Sequence, residues 1–197
     1  MKTRELRGPW TIPNLITLLR LAVLPAFIFS IAEERPAAAL CLFVLAGVSD
    51  GLDGYLARTL NMRSALGAVL DPIADKLLMM SSYVMLSIPS YPARVHIPLA
   101  VAVVVISRDV LMMLVALLII LTTGIKDFPA TFVGKTNTVV QILTVLAVLC
   151  ADLWPLPMPF VWVPFGAALA STAVSGLHYV FLVSRRVADQ ERNPPSR

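Results

Sequence analysis

The chain has 197 residues, 58% hydrophobic and 14% charged, whereas soluble globular domains carry about 25% charged residues. Its apolar runs are long enough to cross a bilayer, which excludes an ordinary soluble domain and points to an all-α integral membrane protein. The net charge of +4 predicts no nucleic-acid partner, because the basic residues gather at span ends, where membrane topology accounts for them.

The first span is expected over 12–32, opening Ile-Pro-Asn-Leu-Ile-Thr-Leu-Leu-Arg. Pro13 suits an early helical position, where its missing N–H is no loss. Arg20 lies deep in this run. Either it snorkels to the headgroups, or Asn14, Thr17 or Arg20 faces a polar interior and helps to hold an anionic substrate. Glu33-Glu34-Arg35-Pro36 makes a turn, and the second span, 37–60, ends in an acidic stretch. There Gly47 and Gly51 form a small-xxx-small pair that allows close approach of a helix or ligand.

The third span, 65–89, contains Pro72, which is expected to kink it or to release the carbonyl of Ala68. The fourth, 96–123, carries Ser107-Arg108-Asp109 in a Val/Ile/Leu-rich run. The fifth, 132–151, begins Phe-Val-Gly-Lys-Thr-Asn-Thr, and the sixth covers 158–183 before a polar tail that is expected to fray. Cys41 and Cys150 lie far apart in apolar runs and read as buried small hydrophobes, with no zinc spacing or disulfide framework. No linker divides the chain, so a single domain over 1–197 is expected.

Eleven of the sixteen basic residues fall on the cytoplasmic side if the N-terminus is inside, and only Arg35 and Arg94 fall outside. The positive-inside rule therefore predicts six spans with both termini cytoplasmic. The short basic start has neither transit-peptide length nor a cleavage signal, which favours a bacterial inner membrane over an organelle.

Four carboxylates, Asp50, Asp53, Asp71 and Asp75, interrupt the second and third spans. Each costs about 2.5–3.5 kcal/mol at a bilayer centre, so the four together require a compensating partner. Asp50 and Asp53 are i, i+3, and Asp71 and Asp75 are i, i+4, so each pair shares one helix face. Two such faces turned together make an all-oxygen cage suited to Mg²⁺ or Mn²⁺ and not to zinc. The topology puts this polar site at the cytoplasmic side, within reach of a water-soluble nucleotide. An ion-coupled transporter also places carboxylates in membranes, but it tends to spread them along a path and to show inverted repeats.

From Asp50 the spacing reads D-x2-D-G-x2-A-R-x8-G-x3-D-x3-D. This resembles the signature of the CDP-alcohol phosphatidyltransferases, with all eight defined residues present, and the Pro-Asn-Leu-Ile-Thr start resembles the family as well. The resemblance implies transfer of a phosphatidyl group from CDP-diacylglycerol to an alcohol, with release of CMP. It implies that Asp50, Asp53 and Asp71 are metal ligands, and that Asp75 is both ligand and general base. Gly54, Ala57, Arg58 and Gly67 would form the CDP surface, and the protein would be a homodimer. Two divalent ions would bridge donor phosphates and carboxylates.

In the family, basic residues on later spans recognise the acceptor, which makes Arg108 and Lys135 the candidates here. Arg108 has a second reading as the partner of its neighbour Asp109. Relatives that use glycerol 3-phosphate typically have Arg-Glu-Ile at this point, with a second arginine two turns on. This chain has Arg108-Asp109-Val110 and an apolar stretch around Val115, Ala116 and Leu117. An acceptor carrying a dianionic phosphate would have less cationic support than expected, and a phosphodiester lipid would need less. Ile-Ser-Arg-Asp-Val, Arg-Ser-Ala-Leu-Gly and the Phe-Val-Gly-Lys-Thr-Asn-Thr-Val-Val-Gln run resemble the cardiolipin synthases of the family. Phosphatidylglycerol is therefore the preferred acceptor, with phosphatidylglycerophosphate synthesis as the alternative. His96 and His178 lack the lysine two residues on that the phospholipase-D type of cardiolipin synthase requires.

Overall fold

The computed structural model describes residues 12–59, 65–89, 93–123 and 132–192. Side chains are described for a smaller set, which leaves out those of Asp53, Gly54, Ala57, Arg58, Gly67 and Asp71. The described residues form six helices and no strand: α1 (Ile12–Ala32), α2 (Pro36–Thr59), α3 (Ala65–Ser87), α4 (Leu99–Thr123), α5 (Phe132–Leu153) and α6 (Pro159–Arg192). The all-α architecture matches the expectation. Among the described residues, Phe132–Leu153 and Pro159–Leu182 are long and apolar enough to cross a membrane, while Ile16–Ala32 and Pro36–Gly51 are shorter apolar helices.

Several boundaries moved for identifiable reasons. α4 starts at Leu99 and not at residue 96, because Pro98 disfavours helix in the residue before it. The Pro98 carbonyl instead accepts from the N–H groups of Val101 (2.8 Å) and Ala102 (3.2 Å). α6 runs to Arg192, well past the expected end, because the Arg-Arg-Val-Ala-Asp-Gln-Glu-Arg tail is rich in good helix formers. α3 continues as helix through Pro72.

The α1–α2 connection is a Schellman closure. The Arg35 N–H donates to the Ser30 carbonyl (2.8 Å) and the Glu34 N–H to that of Ile31 (3.0 Å). Glu34 takes the left-handed position with φ 58°, where glycine is usual. Pro36 then opens α2, and the Arg35 carbonyl accepts from Ala39 N–H at 3.0 Å.

The helices divide into two compact units. In the first, up to His96 and with Val148–Leu156, α1 packs against both α2 and α3. The buried stripes have helical spacing: Thr17, Arg20, Phe27 and Ile31 on α1, Ala39, Phe43 and Ala46 on α2, and Ala74, Leu78, Ser82 and Leu86 on α3. Phe27 meets Phe43 with ring centroids 5.9 Å apart. The Arg94 N–H donates to the Asp152 carboxylate at 2.9 Å, tying the segment before α4 to the end of α5.

In the second unit, Ile97–Ala147 with Pro157–Arg197, α4 packs against α6. The buried face of α6 repeats as Val161, Phe165, Ala168, Thr172 and Ser175, and that of α5 as Asn137, Gln141 and Thr144.

The distribution of polarity differs from that of a water-soluble protein. Thr17, Arg20, Asp109, Asn137, Gln141 and Thr172 are buried, while Leu19, Phe29, Leu99, Leu111, Val163 and Phe181 are exposed. Large apolar side chains facing outward, with polar ones turned into the core beside apolar ones, are what a hydrocarbon solvent selects. Cys41 departs from its expected burial: it is exposed, Cys150 is half-buried, and both are free thiols. Gly47 and Gly51 are also exposed, and a Cβ added at either meets nothing within 4 Å. The pair therefore does not serve close packing among the described residues.

Candidate active site

The buried stripe of α1 carries Arg20 to the acidic end of α2. Its Nη1 lies 2.7 Å from Asp50 Oδ1, with the Arg20 side chain 1% exposed and that of Asp50 49% exposed. Of the two sequence readings of Arg20, the polar interior holds: the guanidinium does not reach outward, because residue 20 falls on the same face as Phe27 and Ile31. A buried arginine is costly without a charged partner, and Asp50 supplies one. Thr17, one turn earlier, is fully buried. Asn14 has no described side chain.

The backbones of Asp53, Gly54, Ala57 and Arg58 follow Asp50 along α2, and those of Gly67, Asp71 and Asp75 lie on α3. Asp75 and Lys76 are half-buried. The other six of these side chains lie outside the described residues. Among the described residues, no three His, Cys, Asp or Glu side chains gather as a metal site, and Asp53 and Asp71 are not in that set. The donor chemistry of the carboxylates nevertheless fits a hard divalent cation: oxygen atoms only, with Asp50 open to solvent on one side.

The second unit holds a polar seam of its own. Arg108 Nη1 pairs with Asp109 Oδ1 at 2.7 Å, and Nη2 donates to the Ser175 hydroxyl. Asn137 Oδ1 accepts from Ser171 (2.9 Å) and Thr172 (3.1 Å). The Thr144 hydroxyl lies 2.8 Å from the Val140 carbonyl and 3.2 Å from that of Pro164. Lys135 is exposed near the start of α5. The sequence allows the pairing of Arg108 with Asp109 but does not single out Ser175. The Asn137, Gln141, Thr144 stripe is a further polar feature of α5, and polar residues at i, i+4 and i+7 in an apolar helix are its signal in the sequence.

The sequence model of CDP-alcohol phosphatidyltransferases matches residues 10–184. The chain belongs to that family. Membership in the CDP-alcohol phosphatidyltransferases sets aside the transporter alternative. Similar relatives include the cardiolipin synthase (CMP-forming) of Rattus norvegicus, 33% identical over 90% of this chain and 64% of the relative. That of Homo sapiens is 34% identical over 87% of this chain and 62% of the relative. The chain thus spans less than two thirds of the length of these mammalian relatives. The CDP-diacylglycerol–glycerol-3-phosphate 3-phosphatidyltransferase of Bacillus subtilis is 34% identical over 86% of this chain and 93% of the relative.

Proposed function

We propose that this CDP-alcohol phosphatidyltransferase moves the phosphatidyl group of CDP-diacylglycerol to a free hydroxyl of phosphatidylglycerol, forming cardiolipin and releasing CMP. The complete eight-residue signature supports the reaction, and the names of the mammalian relatives support the acceptor. The observation that carries the acceptor reading is the Asp109 carboxylate 2.7 Å from Arg108. It offsets part of the guanidinium charge, and a phosphodiester demands less cationic support than a dianionic phosphomonoester. The Bacillus subtilis relative, matched over 93% of its length, favours the second reading, in which the acceptor is glycerol 3-phosphate.

In this proposal Asp50, Asp53, Asp71 and Asp75 hold Mg²⁺ or Mn²⁺, which supplies neutralisation of the donor pyrophosphate. Arg58 grips phosphate oxygens through its planar fork, and Gly54, Ala57 and Gly67 leave room for the nucleotide. Asp75 accepts the proton of the attacking hydroxyl. The acceptor oxygen bonds to the phosphorus that bears diacylglycerol, the bond to the bridging oxygen breaks, and CMP leaves with that oxygen. Arg108 and Lys135 contact the acceptor. The protein acts as a single six-span domain of a bacterial inner membrane, with both termini cytoplasmic, and as a homodimer.

The test is CMP release by purified protein given CDP-diacylglycerol with each acceptor separately, with and without EDTA. Release with phosphatidylglycerol that EDTA abolishes is expected. Release with glycerol 3-phosphate alone transfers the assignment to the second reading, and release that EDTA leaves untouched removes the metal.

A further inference from the structure

We infer that Arg20 is a positioning residue for the first carboxylate of the signature: it pins Asp50 Oδ1 so that the second oxygen is presented to a divalent cation. This rests on the reading of Asp50 as a metal ligand and adds to it a residue outside the signature, on a different helix.

Three observations carry the inference. Arg20 is 2% exposed on the inward stripe of α1, so its head is held by packing before any ligand arrives. Its Nη1 is 2.7 Å from Oδ1, an ion pair at contact distance. The Asp50 side chain is 49% exposed, so without that ion pair it would be free to change rotamer at the helix surface. A carboxylate fixed through one oxygen and open at the other is prepared to ligate, and partners behind a ligand set its orientation. α1 is also well placed for this task, because it is the helix that packs on both α2 and α3, which carry the four acids.

Electrostatics alone argues for the opposite outcome, which makes the inference testable. A guanidinium next to a cation site repels the cation, so if charge dominated, removing Arg20 would tighten metal binding. If orientation dominates, removal weakens it. If Arg20 instead grips a donor phosphate, its loss raises KM for CDP-diacylglycerol and leaves metal affinity alone.

The experiment is Mn²⁺ titration of the purified full chain in detergent micelles, reading free Mn²⁺ by electron paramagnetic resonance, for wild type, R20Q, R20K and D50N. D50N is expected to weaken Mn²⁺ binding, and R20Q to weaken it about 10–100-fold. R20K keeps the charge but loses the planar fork, and is expected to fall between R20Q and wild type. At saturating Mn²⁺ the R20K variant is expected to recover most of its kcat for CMP release, with KM for CDP-diacylglycerol near wild type. Unchanged or tighter Mn²⁺ binding in R20K and R20Q, with D50N weakened, overturns the role of Arg20 alone; should R20Q fail to fold, R20K decides. A change confined to KM overturns it equally. Mn²⁺ binding that D50N leaves unchanged, or that wild type lacks, removes the reading of Asp50 and the inference with it.

Discussion

At the scale of single residues, the proposed function divides the carboxylates by task. Asp75 is proposed to take the proton of the acceptor hydroxyl, a contribution worth about 10²–10⁴-fold in rate. Asp75→Asn keeps the size and polarity of the side chain. It is therefore expected to lower CMP release by about that factor, with an unchanged melting temperature and gel-filtration profile in detergent. Retained activity would remove the base assignment. Arg20 shows where residue-level reading stops. Its depth in an apolar run was visible, but whether it reached headgroups or a partner depended on which face of α1 turns inward. The stripe through Phe27 and Ile31 decides that. Cys41 makes the same point in reverse: an apolar neighbourhood in sequence did not put it inside, because in a membrane helix the outward face is apolar too.

At the scale of elements, helix positions followed the apolar runs closely, and the departures sit where backbone chemistry intervened. Pro98 delays α4, and helix-forming polar residues prolong α6 to Arg192. The closure of α1 places Glu34 at φ 58°, a conformation that costs a residue with a Cβ about 1–2 kcal/mol. Glu34→Gly relieves that strain but loosens the unfolded chain. A net gain of about 0.5–1 kcal/mol is expected, read as a higher melting temperature in detergent with unchanged helix content by circular dichroism. A lower melting temperature would mean that the Glu34 side chain contributes more than its backbone costs.

At the scale of the whole molecule, the distribution of polarity speaks for the solvent. Side chains such as Leu99, Phe160, Trp162, Val163 and Phe181 stand exposed while Asn137, Gln141 and Thr144 are buried. Water would penalise the outward apolar surface at about 25 cal/mol per Å², whereas lipid does not. The protein is expected to stay with the membrane pellet after high-salt and alkaline carbonate washes, and to leave it only with detergent. Recovery in the carbonate supernatant would contradict the membrane reading.

Amino-acid order alone determined the helical class, the approximate helix ends and the family, because these depend on local periodicity, on proline, and on carboxylates at fixed offsets. The family match bears out the signature, and the helices carry its residues on α2 and α3 as the offsets predicted. Which charges meet was left to tertiary structure. The Arg20–Asp50 pair joins residues thirty positions apart, and the Arg108–Ser175 bond joins α4 to α6. Such pairings are set by how helices rotate and pack against one another, a property of the assembled fold that no single stretch of sequence encodes.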